Sequence, residues 1–171
     1  MKKTSKFMAH SAIIAALYVV LTYLANALGL ASGAIQIRFS ESLTILPVFT
    51  SAAIPGLFIG CFISNLLSGC VIWDVIFGSI ATLIGALCTY LLRKYKKLAC
   101  IPPILSNTII IPFVLKYAYG LPAGLGYFIL TIGVGEIVSC GILGTALLLY
   151  LQKYENAIKW KIKPPSGRFF C

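Results

Sequence analysis

Polar positions in this chain do not alternate with apolar ones; they gather in short breaks between long apolar runs. The runs cover roughly 8–29, 41–54, 56–71, 74–92, 101–117 and 123–152. An almost uncharged run of about 17–25 residues has the length of a membrane-crossing helix. The second and third runs are shorter, and Pro55-Gly56 between them predicts a turn. Pro47 is expected to kink the second helix. Pro102-Pro103 suits the first turn of the fifth, and Gly120-Leu121-Pro122 predicts the turn before the sixth. The pattern predicts an all-α membrane protein, a six-transmembrane-helix bundle forming a single domain over residues 1–171.

Composition strengthens this reading. Of 171 residues, 60% are hydrophobic and only 11% charged, with a mean hydropathy of +0.97; a soluble domain carries about a quarter charged residues. The net charge of +10 would suit a nucleic acid, but its placement does not. Lys2, Lys3 and Lys6 precede the first run, and Arg93, Lys94, Lys96 and Lys97 follow the fourth. Lys153, Lys159, Lys161, Lys163 and Arg168 follow the sixth, and of the 14 basic residues only Arg38 and Lys116 lie elsewhere. Basic clusters at alternate boundaries mark the cytoplasmic side of a membrane protein. Both termini are therefore expected in the cytoplasm, with 153–171 a basic tail, and no nucleic-acid partner is expected. The first run shares its leading lysines and the small residues of Ala25-Asn26-Ala27 with signal peptides. It is longer than their usual apolar core and is expected to stay as a helix.

Several chemistries are excluded by what is missing. His10 is the sole histidine, so neither a histidine metal site nor a Ser-His-Asp triad can be built. No P-loop run occurs, so ATP cannot bind through that motif. The six cysteines (Cys61, Cys70, Cys88, Cys100, Cys140, Cys171) show no C-x-x-C spacing. Only Cys70 is placed near the outer face, and no disulfide framework is expected. Neither metal nor cofactor is expected in this chain, and it is not read as an enzyme.

The chemistry that remains lies with the acids. Glu155 belongs to the tail, but Glu41, Asp74 and Glu136 border or interrupt apolar runs. At 1.5 Å per residue, Glu136 lies about 25 Å along its helix from Lys153, in the outer part of a hydrocarbon core about 30 Å thick. A carboxylate there faces a functional cavity more often than lipid. Asp74 starts the fourth helix, where an N-cap role competes with ligand contact. Glu41 stands three residues after Arg38, which offers it an ion pair instead. The three acids are expected to converge on an outward-facing pocket. Trp73, beside Asp74, is expected to stack a planar ligand, whereas Tyr117 and Tyr119 read as an interfacial aromatic belt. Asn65 and Asn107 read as buried amides that bond between helices.

Small residues recur at four-residue spacing: Gly56, Gly60, Ser64 and Ser68 in the third helix, and Ala81, Gly85 and Thr89 in the fourth. Such ridges let backbones pack closely in lipid. In the first helix, Ser11/Ala15 and Ala12/Ala16 make a small, flat patch, which either packs in the bundle or docks another membrane protein.

Three stretches carry a resemblance: Ile35-Gln36-Ile37-Arg38-Phe39-Ser40-Glu41-Ser42-Leu43-Thr44-Ile45-Leu46-Pro47, Ala53-Ile54-Pro55-Gly56-Leu57-Phe58-Ile59-Gly60-Cys61 and Trp73-Asp74-Val75-Ile76-Phe77-Gly78-Ser79. With Pro102-Pro103, Asn107 and Gly135-Glu136 following in order, residues 10–152 resemble the QueT family of queuosine-precursor transporters. The resemblance implies a substrate-binding S component of an energy-coupling-factor importer. It further implies a transmembrane T subunit touching Ala12 and Ala16, and two ABC ATPases that hold the ATP. The implied substrate is a 7-deazaguanine such as 7-aminomethyl-7-deazaguanine. Its paired N–H donors suit one carboxylate, its ammonium another, and its ring carbonyl Gln36 or an asparagine. Glu41, Asp74, Glu136, Arg38, Trp73, Gln36 and Asn107 are the expected binding residues. The run Asn107-Thr108 to Pro112 departs from the smoother stretch expected of that family. The competing expectation is a stand-alone secondary transporter with a proton on Glu136.

Overall fold

A computed structural model describes residues 3–30 and 36–154. The basic tail beyond, with Glu155 and Cys171, and Lys2 and Ile35 lie outside the described residues. Within them the chain forms six α-helices, two 3-10 segments and one π segment, with no strand. The helices are α1 (Lys3–Ala27), α2 (Ala53–Leu67), α3 (Ile72–Leu91), α4 (Ile101–Tyr117), α5 (Leu125–Glu136) and α6 (Thr145–Tyr154). Four stretches, Thr4–Ala27, Ile72–Leu91, Lys96–Tyr117 and Leu125–Lys153, are long and apolar enough to cross a membrane. The outward side chains of α1, including Ile13, Leu17, Val20 and Leu24, are large, apolar and exposed, as a lipid-facing surface requires.

The second predicted helix takes another form. Instead of a kinked α-helix over about 41–54, residues Phe39–Val48 form a 3-10 helix. Its side chains compete with helical bonding: Ser42 Oγ donates to the Phe39 carbonyl at 2.6 Å, and Thr44 Oγ1 to the Glu41 carbonyl at 2.6 Å. Pro47 supplies no N–H, and a tight i→i+3 winding tolerates that loss over a short piece. The expected turn at Pro55-Gly56 also moves. The chain turns at 49–52, and Pro55 sits in the first turn of α2, where a missing donor is harmless. Gly56 is free to pack: a Cβ there would lie 2.7 Å from the Ser11 carbonyl oxygen, and one on Gly60 2.7 Å from Tyr18 Cβ. These glycines bring α2 against α1. Ser11 is thereby buried and donates to the Ala52 carbonyl at 2.8 Å.

Packing follows chain order from α1 through α5, and the 3-10 helix touches α1, α2, α3, the π segment and α6. It is the buried centre of the fold, with Ser40, Glu41, Thr44, Ile45 and Pro47 shielded on every side. Ile14, Tyr18, Ile45, Leu57, Ala86 and Leu148 form the main apolar cluster around it. Pro102-Pro103 opens α4 as expected, and the helix runs through Pro112 to Tyr117 without a break. Gly85 admits Pro103, whose Cα would lie 2.9 Å from an added Cβ. Gly120 has φ +63° in the turn after α4, a conformation that favours glycine. From Leu125 the last helix continues through a π segment, Ile137–Gly144, into α6. π turns are rare and gather at functional sites; this one begins directly after Glu136.

Candidate functional site

The extended residues 36–38 lead from α1 into the 3-10 helix and are clamped in place. Ile37 N–H donates to the Leu30 carbonyl at 3.0 Å, and Arg38 N–H to Ser139 Oγ in the π segment at 3.1 Å. Gly135 has no side chain because the Gln36 carbonyl lies against it. Gln36 and Arg38 are thereby fixed as a partition with a polar space on each side.

Beyond the partition is an inner void lined by Glu41, Glu136, Asn107, Gly78, Thr82, Ile111 and Ile132, together with Gln36 and Arg38. Glu41 comes from the 3-10 helix and Glu136 from the end of α5, and they are 1% and 8% exposed. One amide joins them: Asn107 Nδ2 donates to Glu136 Oε1 at 3.0 Å and to Glu41 Oε2 at 3.4 Å. Tyr18 Oη–H donates to the other Glu41 oxygen. Cys140 Sγ lies 3.3 Å from Glu136 Oε2 and 3.3 Å from the Glu41 carbonyl. Ligand atoms of Glu41, Glu136 and Cys140 fall within 4.8 Å of one another, near enough to share one small cation. The free volume is only about 10 Å³, room for about one water-sized group.

On the other side is an outer chamber of about 470 Å³, at the end where α1 and α4 finish and α3 begins. Thr22, Asn26, Asn65, Ser68, Asp74 and Tyr119 supply its polar lining, and it shares Gln36, Arg38 and Ile111 with the inner void. Asp74 is 3% exposed. Tyr119 Oη–H donates to Asp74 Oδ2 at 3.1 Å while accepting the Val71 N–H at 3.3 Å. Asp74 Oδ1 is buried with no hydrogen-bond partner. An N-cap role for Asp74 is not what the helix uses: the cap residue is Val71, without a side-chain bond.

Of the seven sequence-predicted residues, the structure gathers Gln36, Arg38, Glu41, Asp74, Glu136 and Asn107 around these two spaces. The three acids do not share one surface. Glu41 and Glu136 meet, and Asp74 stands on the other side of the partition. Trp73 is not among them. Successive residues of an α-helix point about 100° apart, so burying Asp74 turns Trp73 outward. It is 53% exposed, stacks on Phe77 at 6.0 Å, and lines an apolar trough of about 640 Å³ with Ile80, Ile109 and Phe113. That trough has the volume for a solute but an almost wholly apolar lining.

Tyr18, Cys140, Asn65 and Tyr119 were missed as site residues. Two of them had a signal. Cys140 follows Glu136 by four residues, one helical turn, and Tyr18 shares a face with Ser11 and Thr22. Tyr119 had none, because its sequence position fits an interfacial belt equally well.

Apolar helices packed around enclosed polar spaces, with carboxylates and an arginine inside, define a membrane-embedded transport protein. The chain belongs to the QueT transporter family, whose model matches residues 8–153. A segment of 74 residues is 45% identical to the protein named Queuosine precursor transporter QueT of Lactococcus lactis subsp. cremoris (strain MG1363). That segment spans 43% of this chain and 43% of the relative, less than half the length of either. No solved structure matches the chain.

Proposed function

We propose that this chain is the substrate-binding S component of an energy-coupling-factor importer and captures a queuosine precursor, 7-aminomethyl-7-deazaguanine, at the outer face of the cell membrane. The outer chamber carries this reading. Its 470 Å³ suit a bicyclic base, and its lining holds a free carboxylate oxygen on Asp74, the arginine Arg38 and the amides of Gln36, Asn26 and Asn65. Paired N–H donors on the guanine edge suit a carboxylate acceptor, in a charge-assisted contact stronger than a neutral one. Lys6, Arg93–Lys97 and Lys153 lie at the opposite end from this chamber, which by the positive-inside rule turns the chamber outward. The six passes then comprise α1, the 3-10 helix, α2, α3, α4 and the rod from α5 to α6.

ATP is bound by two partner ATPases, and a transmembrane T subunit docks on α1 at Ala12 and Ala16. Both alanines are exposed, whereas Ser11 and Ala15, their neighbours in the same patch, are buried against α2. The outward half of the patch remains available to a partner.

Thermal unfolding of the purified protein tests the ligand. The aminomethyl base should raise Tm in proportion to the logarithm of its concentration above Kd, and adenine should not. Adenine offers a lone pair where guanine has its N1–H, so a carboxylate would face an acceptor. Equal stabilisation by both bases would refute recognition of the guanine edge.

A further inference from the structure

The outer chamber and the inner void share Gln36, Arg38 and Ile111 in their walls, and they approach each other again at Gly78. Gly78 lines the inner void, and a Cβ built on it would lie 3.6 Å from Asp74 Oδ1, 3.0 Å from Asn65 Nδ2 and 3.9 Å from Ile111 Cδ1. Asp74 and Asn65 line the outer chamber, and Ile111 lines both. The buried, unpartnered Asp74 oxygen therefore stands at the neck between the two spaces, beside the position where Gly78 carries no side chain.

The two spaces differ in what they can accept. The outer one has the volume of a ring system. The inner one has about 10 Å³, enough for one group of the size of water, and two carboxylates bracket it. Asn107 and Tyr18, which bond the two carboxyl groups, are neutral, so a compact cation seated between the acids is the partner that would stabilise both in their charged form. Arg38 carries the nearby fixed positive charge, but it also lines the outer chamber and so serves both spaces.

We propose that the neck joins these spaces into one two-part site, with the ring of the ligand in the outer chamber and its ammonium in the inner void. Asp74 Oδ1 accepts a ring N–H, and Glu41 and Glu136 receive the ammonium as a socket for one small cation. Tyr119 is a positioning residue: by donating to Asp74 Oδ2 it turns the other oxygen toward the neck. The assignment rests on the proposed function and goes further, because it divides the acids by role. Asp74 recognises the ring of every 7-deazaguanine, while Glu41 and Glu136 distinguish the aminomethyl form from its neutral analogues.

Titration calorimetry with 7-aminomethyl-7-deazaguanine and the neutral 7-cyano-7-deazaguanine separates the roles. The wild-type protein should prefer the charged ligand by about 30-fold, the range of a charge-assisted contact converted to affinity. Glu136→Gln keeps the shape and the Asn107 bond. It should reduce that preference to within about threefold, because the ammonium loses its charge-assisted contact, and Glu41→Gln, measured in parallel, should do the same. Asp74→Asn should weaken both ligands by about tenfold or more with the preference intact. Size-exclusion elution and helical circular dichroism establish that each variant is folded, and either glutamate variant alone suffices for the comparison. If both ligands bind and neither glutamine variant alters the preference, the assignment fails while the functional reading stands. A preference lost in Asp74→Asn instead would reverse the roles and overturn the assignment. If neither compound binds the wild-type protein, the functional reading fails and the assignment with it.

Discussion

Asn107 shows how much depends on one side chain. Its amide donates to both Glu41 and Glu136, and without it the two carboxylates face each other across the void with one fewer donor. A buried polar group left unmade costs about 1–3 kcal/mol, and more when it is charged. Asn107→Ala should therefore lower the stability of the unliganded protein by about 2 kcal/mol or more, read as Tm in detergent. Asn107→Asp should be no better, since it adds a third acid to the pair. A variant that melts with the wild type would mean that one carboxylate is already protonated and donates to the other. Sequence reading placed Asn107 among the buried interhelical amides and, through the family resemblance, among the binding residues. The structure makes it an interhelical amide that also lines the inner void, because the segments it joins are those that carry the acids.

Element scale explains why the patch on α1 divides. Ser11 and Ala15 pack beneath Gly56 and Gly60 of α2, while Ala12 and Ala16, rotated about 100° around the same helix, face outward. If a T subunit docks there, Ala12→Leu together with Ala16→Leu should separate the two helices. Overpacking of this kind costs about 1–3 kcal/mol, roughly fivefold or more in association. Cellular uptake and co-purification with the T subunit should fall together, with ligand affinity of the isolated chain unchanged. Normal uptake by the double variant would favour the stand-alone transporter, for which the buried Glu41–Glu136 pair could serve as the proton carrier. The 3-10 helix belongs to the same scale. Pro47 was a visible sign of irregular helix, but not of its tighter winding, which comes from Ser42 and Thr44 bonding to their own backbone.

The whole molecule has a polarity that can be measured. The outer chamber includes Cys70, which is partly exposed, and Cys100 lies at the opposite end, at the start of α4. With the other cysteines replaced by alanine or serine, Cys70 should react in intact cells with a membrane-impermeant maleimide, and bound ligand should protect it. A chain retaining only Cys100 should react only after the membrane is opened. The reverse pattern would invert the bundle and place the chamber in the cytoplasm.

Sequence alone determined the class of molecule, because hydrophobic length and charge placement are properties of single segments and need no partner. The bounds of α4, the proline pair at its start, the Gly120 turn and the inward acids all follow from such local rules. Tertiary structure decided how those acids are shared. Whether Glu41 meets Glu136 or Asp74 depends on the close approach of the Gln36 carbonyl to Gly135 and on the winding of the Phe39–Val48 helix around its own side chains. Burial of Asp74, with Trp73 turned outward, depends on which face of α3 meets α2 and α4. Local periodicity leaves such choices open, since each face of a short apolar helix can enter the bundle until neighbouring helices occupy the space.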